Sequence, residues 1–199
     1  MNNFEYIGPI KLPLGWGDEV KDCTLQYYGF PRGRYLVAEV GDITDKKNIL
    51  VRIQSACALA DLFESRWCDC AWQFEESKRL LFKEGKGILI HAFDQHGKGL
   101  GLKDHYRVYA EGQRRNLELL TETFDFLGFS YENREYEELA ELLRHYKLSD
   151  FRLLTNDPAR LKFFEEKGFK VTRVPLVPPR DKYNTREIEV KKEKFGHLY

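Results

Sequence analysis

Residues 151–168, FRLLTNDPARLKFFEEKG, constrain the fold more than any other stretch of the chain. The apolar run 151–155 has the composition of a short strand. Asp157 follows as a helix N-cap, and Pro158 takes the first helical position, where its missing N–H removes no bond. Gly168 then closes the helix. A strand that passes straight into a capped helix calls for helices layered on a sheet. The same alternation recurs upstream. Residues 35–43 and 48–55 read as strands joined by a turn at 44–47, residues 72–83 as a helix ending at Gly85, and residues 87–93 (GILIHAF) as a β-type run. Across residues 135–147, Tyr136, Leu139, Leu143 and Tyr146 share one helical face. The expected fold is α/β (α+β), a mixed sheet with flanking helices preceded by an N-terminal β region, with residues 1–199 forming one domain.

Composition narrows the function. At 199 residues the chain can bury ~70% of its unfolded surface without disulfides. Apolar residues at 42% and aromatics at 14% exclude wholesale disorder. The 32 Lys+Arg balance 32 Asp+Glu, so no nucleic-acid or membrane-surface partner is expected, since such binding rests on basic excess. The opening MNNFEYIGPIKLPLGWGDE has neither the basic nor the apolar region of a signal peptide, and no apolar run approaches the ~20 residues of a membrane span. The expected location is cytoplasmic. The balance hides asymmetry: residues 117–150 hold nine acids and three bases, residues 159–199 eleven bases and six acids. The proline-rich stretch 174–187 reads as loop.

Chemistry first shows in Cys57-x10-Cys68-x-Cys70. Three thiolates make a soft site suited to Zn²⁺. Three protein ligands leave a position for water, whereas Cys23 as a fourth would close the site and make the metal structural. Buried cysteines without metal are the competing reading; the flanking Asp61, Asp69 and Gln73 favour a polar site. In DQHGKGLGLKDHYRVYA (94–110), Gly97, Gly99 and Gly101 let a backbone approach a ligand closely, or simply form a turn. The helix start after LLTNDP, with Thr155 and Arg160 nearby, suits a phosphate or ordinary capping. Glu132 and Arg134, by themselves, read as a structural pair.

Taken in order, the segments resemble the GTP cyclohydrolase II family, enzymes that open guanine at the entry to riboflavin synthesis. The matching stretches are KLPLGWGD (11–18), VGDI (40–43), RIQSAC (52–57), the C-x10-C-D-C cysteines, QHGKGLGL (95–102), RVYA (107–110), LGF (127–129) with ENR (132–134), LLTNDP (153–158) and KKEKFGHL (191–198). They span nearly the whole chain. The resemblance implies that Cys57, Cys68 and Cys70 bind Zn²⁺, and that a zinc-activated water attacks C8 of the purine, opens the ring and releases formate. It implies that Arg134 attacks the α-phosphate and displaces pyrophosphate. Arginine is almost always protonated and needs a base for this; Glu132 stands where the family has an aspartate. Tyr109 matches a tyrosine that assists proton transfer. Arg52, Thr155 and Arg160 match triphosphate-holding positions, and Gln73, His96 and Lys98 match further substrate-binding positions. Mg²⁺ with the triphosphate and a homodimer are also implied, and Cys23 becomes a bystander.

Departures from the family cluster on base recognition. His96 replaces a glutamate whose carboxylate accepts two hydrogen bonds from guanine; a neutral imidazole offers one acceptor and one donor. Lys98 replaces an arginine, Ala56 a glutamate, Gln54 a histidine, and Trp67 the arginine before the second cysteine, with Arg66 one place earlier. Arg160 replaces a lysine. Extra residues, one within 91–96 and two between Tyr109 and Leu127, leave Thr121 as the base-contacting threonine only in shifted register. Two alternatives follow: a paralogue that opens a different ring with the same metal, and a zinc-stabilised nucleotide-binding protein without turnover. Retention of Tyr109, Arg134 and an acid at 132 argues against the second.

Overall fold

The computed structural model describes residues 3–199. Seven strands form one mixed sheet: β1 (Glu5–Trp16), β2 (Glu19–Gly29), β3 (Arg34–Val40), β4 (Ile49–Ser55), β5 (Gly87–Ala92), β6 (Asp150–Leu154) and β7 (Lys170–Val174). Their spatial order is β1-β2-β3-β5-β4-β6-β7. Pairing is antiparallel from β1 through β5 and parallel from β5 through β7. Helices α1 (Ala58–Asp61), α2 (Cys70–Glu84), α3 (His96–Gly99), α4 (Leu102–Arg114), α5 (Leu120–Leu127), α6 (Glu137–His145), α7 (Pro158–Glu166) and α8 (Thr185–Phe195) fill the connections. The fold is thus the α/β architecture with a mixed sheet and flanking helices that the patterning implies.

Strand β4, ILVRIQS, is buried along nearly its whole length, as a parallel strand covered on both faces must be. Alternation divides its side chains. Ile49, Val51 and Ile53 join a large core with Leu139, Leu142 and Leu143 of α6 and with Phe151 and Phe164. Leu50 joins a second core with Leu81 and Phe82 of α2 and with Leu154. Cys23, 1% exposed, packs into that second core, and burial pushes its thiol pKa up. It therefore behaves as a small core residue, as its bystander reading implies.

Three local differences from the sequence expectation have plain causes. The turn at 44–47 does join β3 to β4, but the two do not pair, because β5 inserts between them. The N-terminal β region is a long hairpin whose outer strand carries Pro9 and Pro13; prolines lack a ladder donor and sit at a sheet edge. The proline-rich stretch 174–187 is irregular only until α8 begins at Thr185, so its last residues are helical.

Candidate active site

One pocket opens beyond the carboxyl ends of β4 and β6, where ligands bind in open α/β sheets. It gathers Cys57, Cys68, Cys70, Arg52, Gln73, Lys98, Tyr109, Arg134, Thr155 and Arg160 from segments spread over more than a hundred residues.

At one end lie the three thiols. Chain leaving β4 delivers Cys57, whose N–H donates to Asp61 Oδ2 at 2.9 Å; His91 Nε2 lies 3.1 Å from the same oxygen. Cys70 is the first residue of α2, with Asp69 as its N-cap position. The three Sγ atoms lie within 4.8 Å of one another, the one group among the described residues arranged to hold a metal. Hydrogen bonds from Cys57 and Cys68 pull the Cys70 thiol well below its usual range, and contacts with Cys57 and Cys70, with burial, push Cys68 up. A soft, crowded trio in which one thiolate forms readily fits Zn²⁺. Asp69, between the last two cysteines, has a fully enclosed side chain, bonded to Lys191 Nζ (2.7 Å), Gln73 Nε2 (2.6 Å) and the Tyr199 hydroxyl (2.9 Å).

At the other end the groups are mostly basic. Arg134, 12% exposed at its side chain, is gripped by Glu132 (Nε to Oε1, 2.7 Å, with a second bond from Nη2) and reaches Asp157 Oδ2 at 3.1 Å. Burial alone would lower its pKa; Glu132 and Asp157 more than offset that and raise it. Asp157 also caps α7, accepting from Ala159 N (3.0 Å) and Arg160 N (3.4 Å), and its own N–H donates to Thr155 Oγ1 at 3.1 Å. Arg160 donates to Ile53 O (2.9 Å) and Ser55 Oγ (3.2 Å), while its buried Nε has no partner among the described residues. Arg52 donates to Leu154 O (3.0 Å), Gln54 Oε1 (2.6 Å) and Gln73 Oε1 (3.1 Å); burial, then nearby Arg160, pulls its pKa down to about 9. These two arginines brace β4 against its neighbours as well as lining the pocket.

The glycine-rich turn joins the two ends. Gly97 and Lys98 both take left-handed backbone (φ 53° and 58°), which carries Lys98 into the pocket with Nζ 3.6 Å from the Phe195 ring centre. Burial, followed by Arg134, lowers the Lys98 pKa to about 8. At Gly99 a Cβ would lie 2.6 Å from the Asn133 carbonyl, so only glycine lets this turn meet the Arg134 segment. His96 does not line the pocket: the left-handed turn begins just after it, and its ring packs beside His105, 5.9 Å between centres. Glu132 likewise stays outside the lining and is bonded to Arg134. Thr121 lines the pocket at 4% exposure. Tyr109 sits one helical turn beyond His105, and burial together with the thiols drives its phenol far above the usual range. Lining residues that the patterning missed include His105, Glu187, Lys191, Phe195 and His197. The last four belong to α8 or the chain after it; the KKEKFGHL match (191–198) was the only signal for Lys191, Phe195 and His197, and Glu187 lies before it.

The sequence model of the family described as GTP cyclohydrolase II matches residues 21–175, which include every thiol and Arg134. The chain belongs to the GTP cyclohydrolase II family. Relatives include the chloroplastic monofunctional riboflavin biosynthesis protein RIBA 3 of Arabidopsis thaliana, 35% identical over 98% of this chain and 38% of its own length. GTP cyclohydrolase-2 of Picrophilus torridus is 32% identical over 80% of this chain and 82% of its own. GTP cyclohydrolase-2 of Archaeoglobus fulgidus is 34% identical over 86% and 44%. The chain thus spans little more than a third of the plant relatives' length. Within this family pocket, Glu187, Lys191, Phe195 and His197 come from beyond the matched residues.

Proposed function

We propose that this chain is a zinc-dependent cyclohydrolase of riboflavin biosynthesis that opens the imidazole ring of GTP, releasing formate and pyrophosphate. The observation that carries this reading is the convergence, in one pocket, of the three-thiol cluster with Tyr109, Arg134, Thr155 and Arg160. Cys57, Cys68 and Cys70 would hold Zn²⁺, which as a Lewis acid brings the pKa of water toward ~7 and so supplies a nucleophile at neutral pH. Tyr109, kept protonated by its surroundings, donates a proton to nitrogen as the ring opens. Thr155, Arg160 and Arg52 hold the phosphates, and Gln73, Lys98 and Thr121 face the nucleoside.

Arg134 has two possible tasks, and its ion pairs rank them. Paired with Glu132 and Asp157 it is held as a charged guanidinium, suited to stabilising negative charge that develops at phosphorus. Attack by its nitrogen on the α-phosphate requires a prior proton transfer to Glu132, 2.7 Å away. Mg²⁺ enters with the triphosphate; it keeps several waters and needs no protein cage. Four free cysteines support a reducing, cytoplasmic setting. Exposed apolar residues on the first hairpin (Ile7 58%, Ile10 53%, Val20 67%) support a homodimer, and the single sheet supports one catalytic domain over residues 1–199.

A second reading, a paralogue acting on a different purine or related ring, is favoured by one feature. The lining carries Gln54, Ala56 and Lys98 where the family pattern has histidine, glutamate and arginine, and His96 lies outside it. Loss of a bidentate base contact shifts specificity by several powers of ten. A nucleotide panel with formate and pyrophosphate followed separately distinguishes the readings. Formate from GTP supports the first; turnover of another ring with none of GTP supports the second.

A further inference from the structure

Asp69 stands between two of the three thiols, and its side chain is fully enclosed. A carboxylate withdrawn from water needs partners for both its charge and its lone pairs. Lys191 Nζ meets Oδ1 at 2.7 Å, and Gln73 Nε2 (2.6 Å) and the Tyr199 hydroxyl (2.9 Å) meet Oδ2. Lys191 and Tyr199 lie 122 and 130 residues along the chain from Asp69 and beyond residue 175, where the family match ends.

We propose that Lys191 and Tyr199 are positioning residues for the metal centre, holding Cys68 and Cys70 in ligating geometry through Asp69. This rests on the reading of the cysteine trio as a zinc site. Asp69 is also the residue from which α2 starts, and Cys70 is that helix's first residue. Fixing the carboxylate therefore fixes the backbone that carries both thiols. Charge points the same way. Three thiolates and a divalent cation leave one negative charge, Asp69 adds another, and Lys191 is the buried cation that offsets it. Without the ammonium, Asp69 is enclosed with no cation in contact with it, and its loop gains by moving toward water.

The C-terminal segment has separate anchors, so the effect of Lys191 is local. Leu198 N–H donates to Asn156 O at 2.8 Å, the Arg173 guanidinium donates to Leu198 O, and Arg186 pairs with Glu118. Removing Lys191 leaves all three in place.

The test uses zinc-loaded, full-length protein carrying Lys191→Met, Lys191→Arg, Tyr199→Phe or Arg186→Ala. Zinc affinity is read by competition with a chromophoric chelator, the ligand field from the absorption of the Co²⁺-substituted protein, and folding by circular dichroism. Lys191→Met is expected to weaken zinc binding by about 10- to 100-fold, the size of effect seen when an outer-shell partner is lost, and to shift the cobalt bands. Lys191→Arg should recover most of the loss, Tyr199→Phe should move the same way by less, and Arg186→Ala should match the parent protein. Parent-like zinc affinity and cobalt bands in a folded Lys191→Met protein would overturn the inference while leaving the zinc site intact. So would an equal loss in Arg186→Ala, which would trace the effect to general loosening of α8. A parent protein that takes up neither metal would defeat the cysteine reading itself.

Discussion

The antiparallel strands β1–β3 and the parallel strands β4–β7 belong to one sheet, yet they differ in what they present to the surroundings. Among the described residues, none that lines this pocket precedes Arg52, so β1, β2 and β3 contribute nothing to its lining. Those strands instead expose an apolar edge, with β1 exposed along most of its length. In the parallel part the carboxyl ends of β4 and β6 point toward one opening, and the chain leaving these ends carries the thiols on one side and Thr155, Asp157 and Arg160 on the other. Parallel pairing explains this difference. Strands running the same way end at the same side, so their loops converge, whereas a hairpin sends its loops to opposite ends.

Substitutions in the two parts should therefore have separable effects. The largest is expected from Arg134→Ala, which removes the buried guanidinium between Glu132 and Asp157. Pyrophosphate release should fall by about 10²–10³-fold, the scale of one lost transition-state donor, with association of copies unchanged. Formate and pyrophosphate assays side by side check this; undiminished pyrophosphate release would remove Arg134 from phosphate chemistry. A smaller effect is expected from pH. The Lys98 ammonium, with its pKa lowered to about 8, loses its proton as pH rises past that value. Attraction for an anionic nucleotide should weaken on the alkaline side, by at most about tenfold per pH unit, so KM should climb. Lys98→Arg should abolish that limb, since a guanidinium stays charged there. The smallest effect is expected from Ile10→Lys on the exposed edge: stability within about 0.5 kcal/mol and unchanged kcat, but weaker self-association by sedimentation. Loss of activity with no change in association would break the contrast between the two parts.

How far the chain could be read in advance follows the same division. β4, β5 and β6, with α2, α6 and α7, were legible because each has a strong apolar period or a cap, and their ends fell within about three residues of expectation. α4 was hidden by the three glycines before it, and α8 by prolines upstream and by its KKEK charge. Short β7, KVTRV, lacks a clear apolar pattern because it lies at the far edge of the sheet. In the site, the thiols were legible because their spacing is local, whereas Arg134 stood out only through the family resemblance, since beside Glu132 it reads by itself as a structural pair. Lys191, Glu187 and His197 were not, since only tertiary folding brings them to residues more than a hundred positions away. His96 shows the opposite case. Its place in the motif suggested a base contact, while the left-handed backbone at Gly97 and Lys98 turns the next residues, rather than His96, into the pocket.

Formate release from GTP, measured against bound metal in the same preparation, bears most directly on whether this pocket opens a ring with zinc. About one zinc per chain is expected from three thiolate ligands. Formate production should disappear when a chelator removes the metal and return when Zn²⁺ is restored. Protein stripped of metal that still releases formate at the full rate would contradict the zinc-dependent reading.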